Sequence, residues 1–247
     1  MTMFTDIYRI AELNIGVTSL HDEVHHLCAN YLAPDAVPEF SVQTTQSNID
    51  YEREKSARED EIEGIPVRNF SDSYLETLAV YRKIAEKMPY YDTILFHGSC
   101  VAVDGVGYLF TAKSGTGKST HTRLWREFLG DRTVMVNDDK PLIRVTDKGA
   151  IIFGTPWDGK HRLSSNIAVP LKALCVLERA EQNTIRQTTA LEVYPMLLQQ
   201  AYRPMDGMAM SKTLTLIDKL AASVNLWRLG CNRDIEAAQV AYDAMKG

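Results

Sequence analysis

The stretch Ala112-Lys113-Ser114-Gly115-Thr116-Gly117-Lys118-Ser119-Thr120 constrains this chain more than any other, because it lies between an apolar run and an amphipathic one. It fits the phosphate-binding loop pattern G-x-x-x-x-G-K-[ST], with Ala112 where the first glycine would stand. The chemistry explains the residue types. Gly115 and Gly117 free the backbone to turn successive N–H groups toward phosphate oxygens. Lys118 is placed to reach terminal phosphates and the Ser119 hydroxyl to ligate Mg²⁺, with Ser114, Thr116 and Thr120 completing the nucleotide-binding set. A helix starting here would add its positive end.

Context decides whether such a pattern is more than chance. Val106–Thr111 reads as a buried strand, and Thr120, Leu124, Phe128 with His121, Trp125, Leu129 recur at helical spacing until Gly130-Asp131 stops them. Strand, glycine loop and helix therefore come in the required order.

The flanking segments carry the candidate chemistry. Thr93–Val103 reads as one strand, Asp104-Gly105 as a two-residue turn and Val106 as the start of the return strand. Pairing Val103 with Val106 sets His97 across from Ala112, at the mouth of the loop. A mid-strand histidine is usually a satisfied core or edge residue, but register makes this one a catalytic candidate. Downstream, Thr133-Val-Met-Val-Asn-Asp-Asp139 is an apolar strand ending in two carboxylates. Asn-Asp-Asp is also ordinary turn composition. Its place roughly 20 residues after Lys118 instead suits an acidic partner, one carboxylate holding Mg²⁺ or its waters and one taking an acceptor's proton. A hairpin pairing 142–145 with 150–153 then delivers the loop Gly154–Arg162, where Lys160, and less so Arg162, could stabilise charge on a transferring phosphoryl group.

Elsewhere the sequence is quieter. Residues 6–18 suggest a first strand, 21–32 a short helix, 40–45 a strand, and Ser71 opens a helix capped by Asp72 or Ser73. His21 and His25 have the spacing of a metal pair, yet no third ligand stands near them in sequence and exposed helix histidines are commoner. The charge-dense segment Asp50–Glu63 reads as a solvated loop or an exposed strand pair. A strand at 172–177, helices around 189–201 and 208–222, a strand at 224–229 and a helix from Asp234 close the chain. Composition excludes some classes. With 27 basic and 32 acidic residues, a net charge of −5, no basic field favours nucleic acid or a membrane surface. Cys28, Cys100, Cys175 and Cys231 lack C-x-x-C spacing and read as reduced thiols. No signal-peptide run or membrane span is present, so a cytoplasmic protein is expected.

Residues 93–179 resemble the HPr kinase/phosphorylase family and, more distantly, the core of ATP-dependent phosphoenolpyruvate carboxykinase. His97-Gly98 before the Asp104-Gly105 hairpin, Ser114-Gly-Thr-Gly-Lys-Ser119 and the close-following Asp138-Asp139 carry the likeness. The resemblance implies that Lys118 and Ser119 bind ATP and Mg²⁺, that one of Asp138 and Asp139 is the base while the other holds the metal shell, and that His97 sits near the transferred phosphate; we assign Asp138 as the base and Asp139 to the metal. Thr120 departs from the glutamate usual there, and Gly154-Thr-Pro-Trp-Asp-Gly-Lys160 replaces the Glu-Ile-Arg-Gly-type signature. The chain thus looks more like divergent HPr-kinase-like proteins that phosphorylate other hydroxyls, on peptides or free amino acids.

The expected fold is α/β, a P-loop kinase core of this type with a mixed sheet and hairpins over 91–247, preceded by an α/β region over 1–90 with no recognisable chemistry. The expected function is an ATP-dependent, Mg²⁺-requiring kinase acting on a hydroxyl, serine on a peptide or protein or free serine. A nucleotide-binding regulatory protein and a small-molecule carboxykinase-like phosphotransferase are the alternatives, and a homo-oligomer stays open.

Overall fold

In the computed structural model, which describes residues 3–159 and 161–247, the chain divides by its contacts into two units, Met1–Glu86 and Lys87–Gly247. In the first unit, β1 (Phe4–Ile10) and β2 (Leu13–Ser19) form an antiparallel hairpin. Residues 6–18 are therefore two strands and not one. The turn residues Ala11 and Glu12 have φ of 49° and 59°, the pair of positive values that a tight hairpin turn needs. Helix α1 is confined to Glu23–Leu27 and passes into a 3₁₀ turn at Ala29–Tyr31. Strand β3 (Phe40–Gln43) then pairs parallel with β2. The histidine rings engage protein partners. Nδ1 of His21 lies 2.7 Å from the Glu76 carboxylate, and His25 lies between Tyr8 Oη at 2.6 Å and Ser19 Oγ at 2.9 Å.

The charge-dense segment Asp50–Glu63 is neither a loop nor a strand pair. It belongs to α2 (Gln46–Glu63), opened by a Thr45/Asn48 capping box and closed by Gly64 at φ 70°. Its buried residues are Ile49, Glu52 and Asp60, so it shows no apolar stripe. Ion pairs hold it instead: Glu52 with Arg82 at 2.5 Å, Asp60 with Arg68 at 2.6 Å, and Arg53 with Asp72. A polar helix of this kind is stabilised by pairs and not by a face. Helix α3 (Asp72–Lys87) starts with Ser71 Oγ accepting the Tyr74 N–H.

Glu76 on α3 is 1 % exposed and accepts from the Leu20 and His21 N–H groups at 2.7 and 2.8 Å and from Thr44 Oγ1 at 2.5 Å. Burial acts to raise its pKa, but these donors outweigh burial and hold the carboxyl below the usual glutamate range. A carboxylate lowered in the folded state stabilises above its unfolded pKa and loses that stabilisation as pH falls through the folded value. Glu76→Gln should cost about 2 kcal/mol at neutral pH, because an amide N–H then faces donors. In urea unfolding the gap to wild type should narrow below about pH 4. A gap that holds constant on acidification would count against this account.

The second unit is built on one nine-stranded mixed sheet ordered β4-β8-β9-β10-β6-β5-β7, with β12 beside β10 and β11 beside β12. These are β4 (Thr93–Leu95), β5 (Ser99–Val103), β6 (Val106–Thr111), β7 (Thr133–Asn137), β8 (Leu142–Thr146), β9 (Gly149–Phe153), β10 (Ala168–Arg179), β11 (Thr184–Gln187) and β12 (Asn225–Cys231). Helix α4 (Lys118–Leu129) follows β6, α5 (Ala190–Gln200) and α6 (Gly207–Ser223) precede β12, and α7 (Glu236–Met245) ends the chain. Hairpins β5–β6 and β8–β9 are antiparallel, whereas β10 runs parallel to β6 and β12, so the sheet mixes directions as expected.

Both sheet faces are buried, which is why the central strands read as unbroken apolar runs. Cys100, Ala102, Leu109, Leu174 and Val176 pack with α5 and α6. Their neighbours Val101, Val103, Phe110, Ala173 and Cys175 pack with Leu124 and Trp125 of α4 and with α7. Alternate residues thus serve opposite cores. Cys28, Cys100 and Cys175 are buried free thiols and Cys231 is free. Among the described residues no helix is long and apolar enough to cross a membrane.

Candidate functional site

The glycine loop leaves β6 at Ala112, which is fully buried, and enters α4 at Lys118. Gly115 and Gly117 hold φ of 73° and 123°, values a side chain would strain. Nothing lies within 4 Å of a Cβ built at Gly115, so backbone conformation and not space demands the glycine there. The first N–H groups of α4 have no intrahelical acceptor and are free to serve a ligand. Burial pushes the Lys118 ammonium below the usual lysine range, opposed by the Asp139 carboxylate.

The strand expected over 93–103 is broken at Phe96–Gly98, between β4 and β5. The ladder register places Val103 against Val106 and ends at Ser99 against Phe110. Beyond it the His97 N–H donates to the Gln200 carbonyl at 2.8 Å and the Gly98 N–H to the Asp139 carbonyl at 3.0 Å. A Cβ at Gly98 would come within 2.8 Å of Leu109 Cδ1 and 3.0 Å of the Phe110 carbonyl, which explains the glycine. The His97 carbonyl still accepts from Thr111 Oγ1 at 3.1 Å, so the histidine remains next to the start of the loop.

At the end of β7 the buried Asn137 shapes the acidic turn. Its Oδ1 accepts the N–H groups of Asp139 and Lys140 at 2.8 and 2.7 Å. Its Nδ2 donates to the carbonyls of Thr155 and Trp157 at 3.2 and 3.3 Å, tying the turn to the loop after β9. The two carboxylates then differ. Asp139 Oδ1 lies 3.2 Å from His97 Nε2 and Oδ2 lies 2.5 Å from Lys140 Nζ. Burial acts to raise the Asp139 pKa, but His97 and Lys140 outweigh it and hold the carboxyl far below the usual range. Asp138 is 4 % exposed and accepts the Gly159 N–H on Oδ1 at 2.5 Å. Its Oδ2 is buried with no hydrogen-bond partner among the described residues. Burial raises the Asp138 pKa; the Gly159 N–H opposes it, and the nearby Asp158 and Asp139 charges add to it. A Cβ at Gly159 would meet Asp138 Oδ2 at 2.9 Å, so only glycine lets this backbone approach so closely.

These groups converge on a cleft of 430 Å³ lined by Gly115, Gly117, Lys118, Ser119 and Thr120 on one side and by His97, Asp138 and Asp139 on the other. Arg123 and Arg126 of α4 and His161 line it as well, residues not singled out from the sequence. Ser114 and Thr116 instead line an adjoining cleft. Lys160 lies outside the described residues. Asn137 and Gly159 also escaped the sequence reading. The Asn before the acidic pair resembles any turn asparagine, and nothing in the sequence pairs Gly159 with Asp138. Among the described residues no group of three or more His, Cys, Asp or Glu could hold a metal ion.

Fold and site together define a mixed α/β protein with a glycine loop opening onto a helix beside paired carboxylates. No family model matches the chain, and no curated protein matches it. Among solved structures it is similar to the Hpr(Ser) kinase/phosphatase from Coxiella burnetii, at 12 % identity and a TM-score of 0.33, over 62 % of this chain and 99 % of that one.

Proposed function

We propose that this chain is an ATP-dependent kinase that transfers the γ-phosphoryl group to a hydroxyl, serine on a peptide or free serine being the favoured acceptor. The observation that carries the reading is Asp138 on the same cleft as Lys118 and the α4 N-terminus, its buried Oδ2 without a hydrogen-bond partner among the described residues. A carboxylate oxygen kept free of donors and raised in pKa suits a general base. A protein that only bound nucleotide would have no use for it. The roles of the pair then separate: Asp138 is the base, and Asp139, balanced by His97 and Lys140, takes the electrostatic one.

In the proposed reaction the α4 N–H groups and Lys118 hold the phosphates, and His97 fixes the Asp139 carboxylate. The acceptor oxygen forms a bond to the γ-phosphorus while its proton passes to Asp138 Oδ2. The bond from that phosphorus to the bridging oxygen breaks, and ADP leaves with the electron pair. Lys160 belongs to the proposal as a further cation at the transferring group.

Mg²⁺ fits the donors, since it keeps several waters and needs few protein oxygens. Ser119 and Asp139 would hold it or its waters, and when bound it neutralises phosphate charge. Labelled ATP offered with serine, serine-containing peptides, sugars and organic acids tests the proposal. Label on a serine hydroxyl is expected, and label only on an acid or a sugar would refute the acceptor.

A further inference from the structure

The glycine loop is a ridge between two clefts, one of them lined by Asp138 and Asp139. The other has a volume of 640 Å³ and shares Lys113, Ser114 and Thr116 with the loop. Its floor is aliphatic: Val176 and Leu177 near the end of β10, and Val193 and Met196 on α5. Phosphate and metal ions gain nothing from such a surface, whereas a flat, weakly polar ring buries its faces well against it. Pro195 lies inside α5 and lends another rigid apolar wall, while Gln199 presents an exposed amide at the edge.

Topology divides the labour. In the sheet, β10 and then β12 lie on one side of β6, and β5 and then β7 lie on the other. Asp138 and Asp139 follow directly on β7, so the acceptor hydroxyl has to occupy that side, within reach of the Asp138 carboxylate. A nucleotide whose phosphates rest on the loop must extend its remaining part elsewhere, and the aliphatic cleft opens on the β10–β12 side. Arg179, at the end of β10, donates from Nη2 to the Gly115 carbonyl and joins the rim of this cleft directly to the loop. The Arg228–Glu178 ion pair adds polar groups at the opening, suited to ribose hydroxyls.

We propose that this cleft is the nucleoside subsite, receiving the heteroaromatic base and ribose of the nucleotide whose phosphates the loop holds. The proposal rests on the kinase reading above. Calorimetry with ATP and with inorganic tripolyphosphate, each with Mg²⁺, separates the two. Wild type should bind ATP more tightly than tripolyphosphate. Met196→Trp, which fills the cleft, should weaken ATP about 10-fold and leave tripolyphosphate unchanged. Should that variant misfold, Gln199→Trp on the exposed face of the same helix makes the same comparison. Equal affinities of wild type for ATP and tripolyphosphate would overturn the subsite and leave the phosphate loop standing. So would unchanged ATP affinity in the folded variants, including the case where only the acceptor KM rises and the cleft belongs to the acceptor. If wild type bound neither ligand, the kinase reading would fail and the subsite with it.

Discussion

Asp138→Asn should leave ATP binding intact and slow transfer by about 10²–10⁴-fold, the usual loss when a general base is removed. The substitution is nearly isosteric. The side-chain carbonyl can still accept the Gly159 N–H, which the structure places at 2.5 Å from Oδ1. What disappears is the basic oxygen that has no donor among the described residues. A pH signature accompanies the loss. Burial raises the Asp138 pKa in the folded protein, and a base works only when deprotonated. The acid limb of kcat should therefore lie above the ordinary aspartate value of about 4, and the residual activity of the variant should lack that limb. Asp139→Asn should behave differently. It removes the partner of His97 and Lys140 and should raise the Mg²⁺ requirement while the base stays in place. Single-turnover transfer measured across pH with both variants decides the matter. Near-wild-type transfer by Asp138→Asn would end its assignment as base, and exchanged phenotypes would reverse the two roles.

The parts of the fold legible in the sequence are those where local chemistry and tertiary packing ask for the same thing. Asp104-Gly105 is a strong turn signal, and the register it sets, Val103 against Val106, is the one observed. Thr146 against Gly149 follows in the same way. The α4 stripe was readable because Leu124 and Trp125 pack one face of the sheet. Where one level of information contradicts another, the reading fails. Ala11-Glu12 makes a tight hairpin turn without glycine or asparagine, so nothing local separates β1 from β2. Helix α2 has no apolar periodicity to detect, because partners distant in sequence, Arg68, Asp72 and Arg82, hold it. The His97-Gly98 break looks like continuous strand in the sequence. It exists because Gln200 and Asp139, remote in the chain, supply its backbone partners. The candidate site divides along the same line. The loop and the acidic pair are contiguous motifs, whereas the Asn137 tie to Thr155 and Trp157 and the Gly159 approach to Asp138 are tertiary contacts.

Lys118→Ala should abolish transfer and weaken Mg²⁺·ATP by roughly 100-fold, about 3 kcal/mol, the scale of a lost charge-assisted contact in a partly desolvated site. The free protein bears the cost of holding this amine in place: burial pushes its pKa down, and the Asp139 charge opposes that. A terminal phosphate supplies the missing anion, so binding energy should concentrate at this side chain. Removing it leaves Gly115 and Gly117 untouched, and their positive-φ backbone, with Arg179 still donating to the Gly115 carbonyl, keeps the loop open to phosphate. The variant should therefore fold, with unfolding transitions close to wild type. It should lose tripolyphosphate as strongly as ATP, because the lysine acts on phosphate and not on the base. This pattern is the reverse of that expected for Met196→Trp, which should spare tripolyphosphate. Calorimetry on the two variants with the two ligands gives four affinities from one protocol. If Lys118→Ala bound ATP with unchanged affinity, the glycine loop would be excluded as the nucleotide site, whatever its sequence resembles.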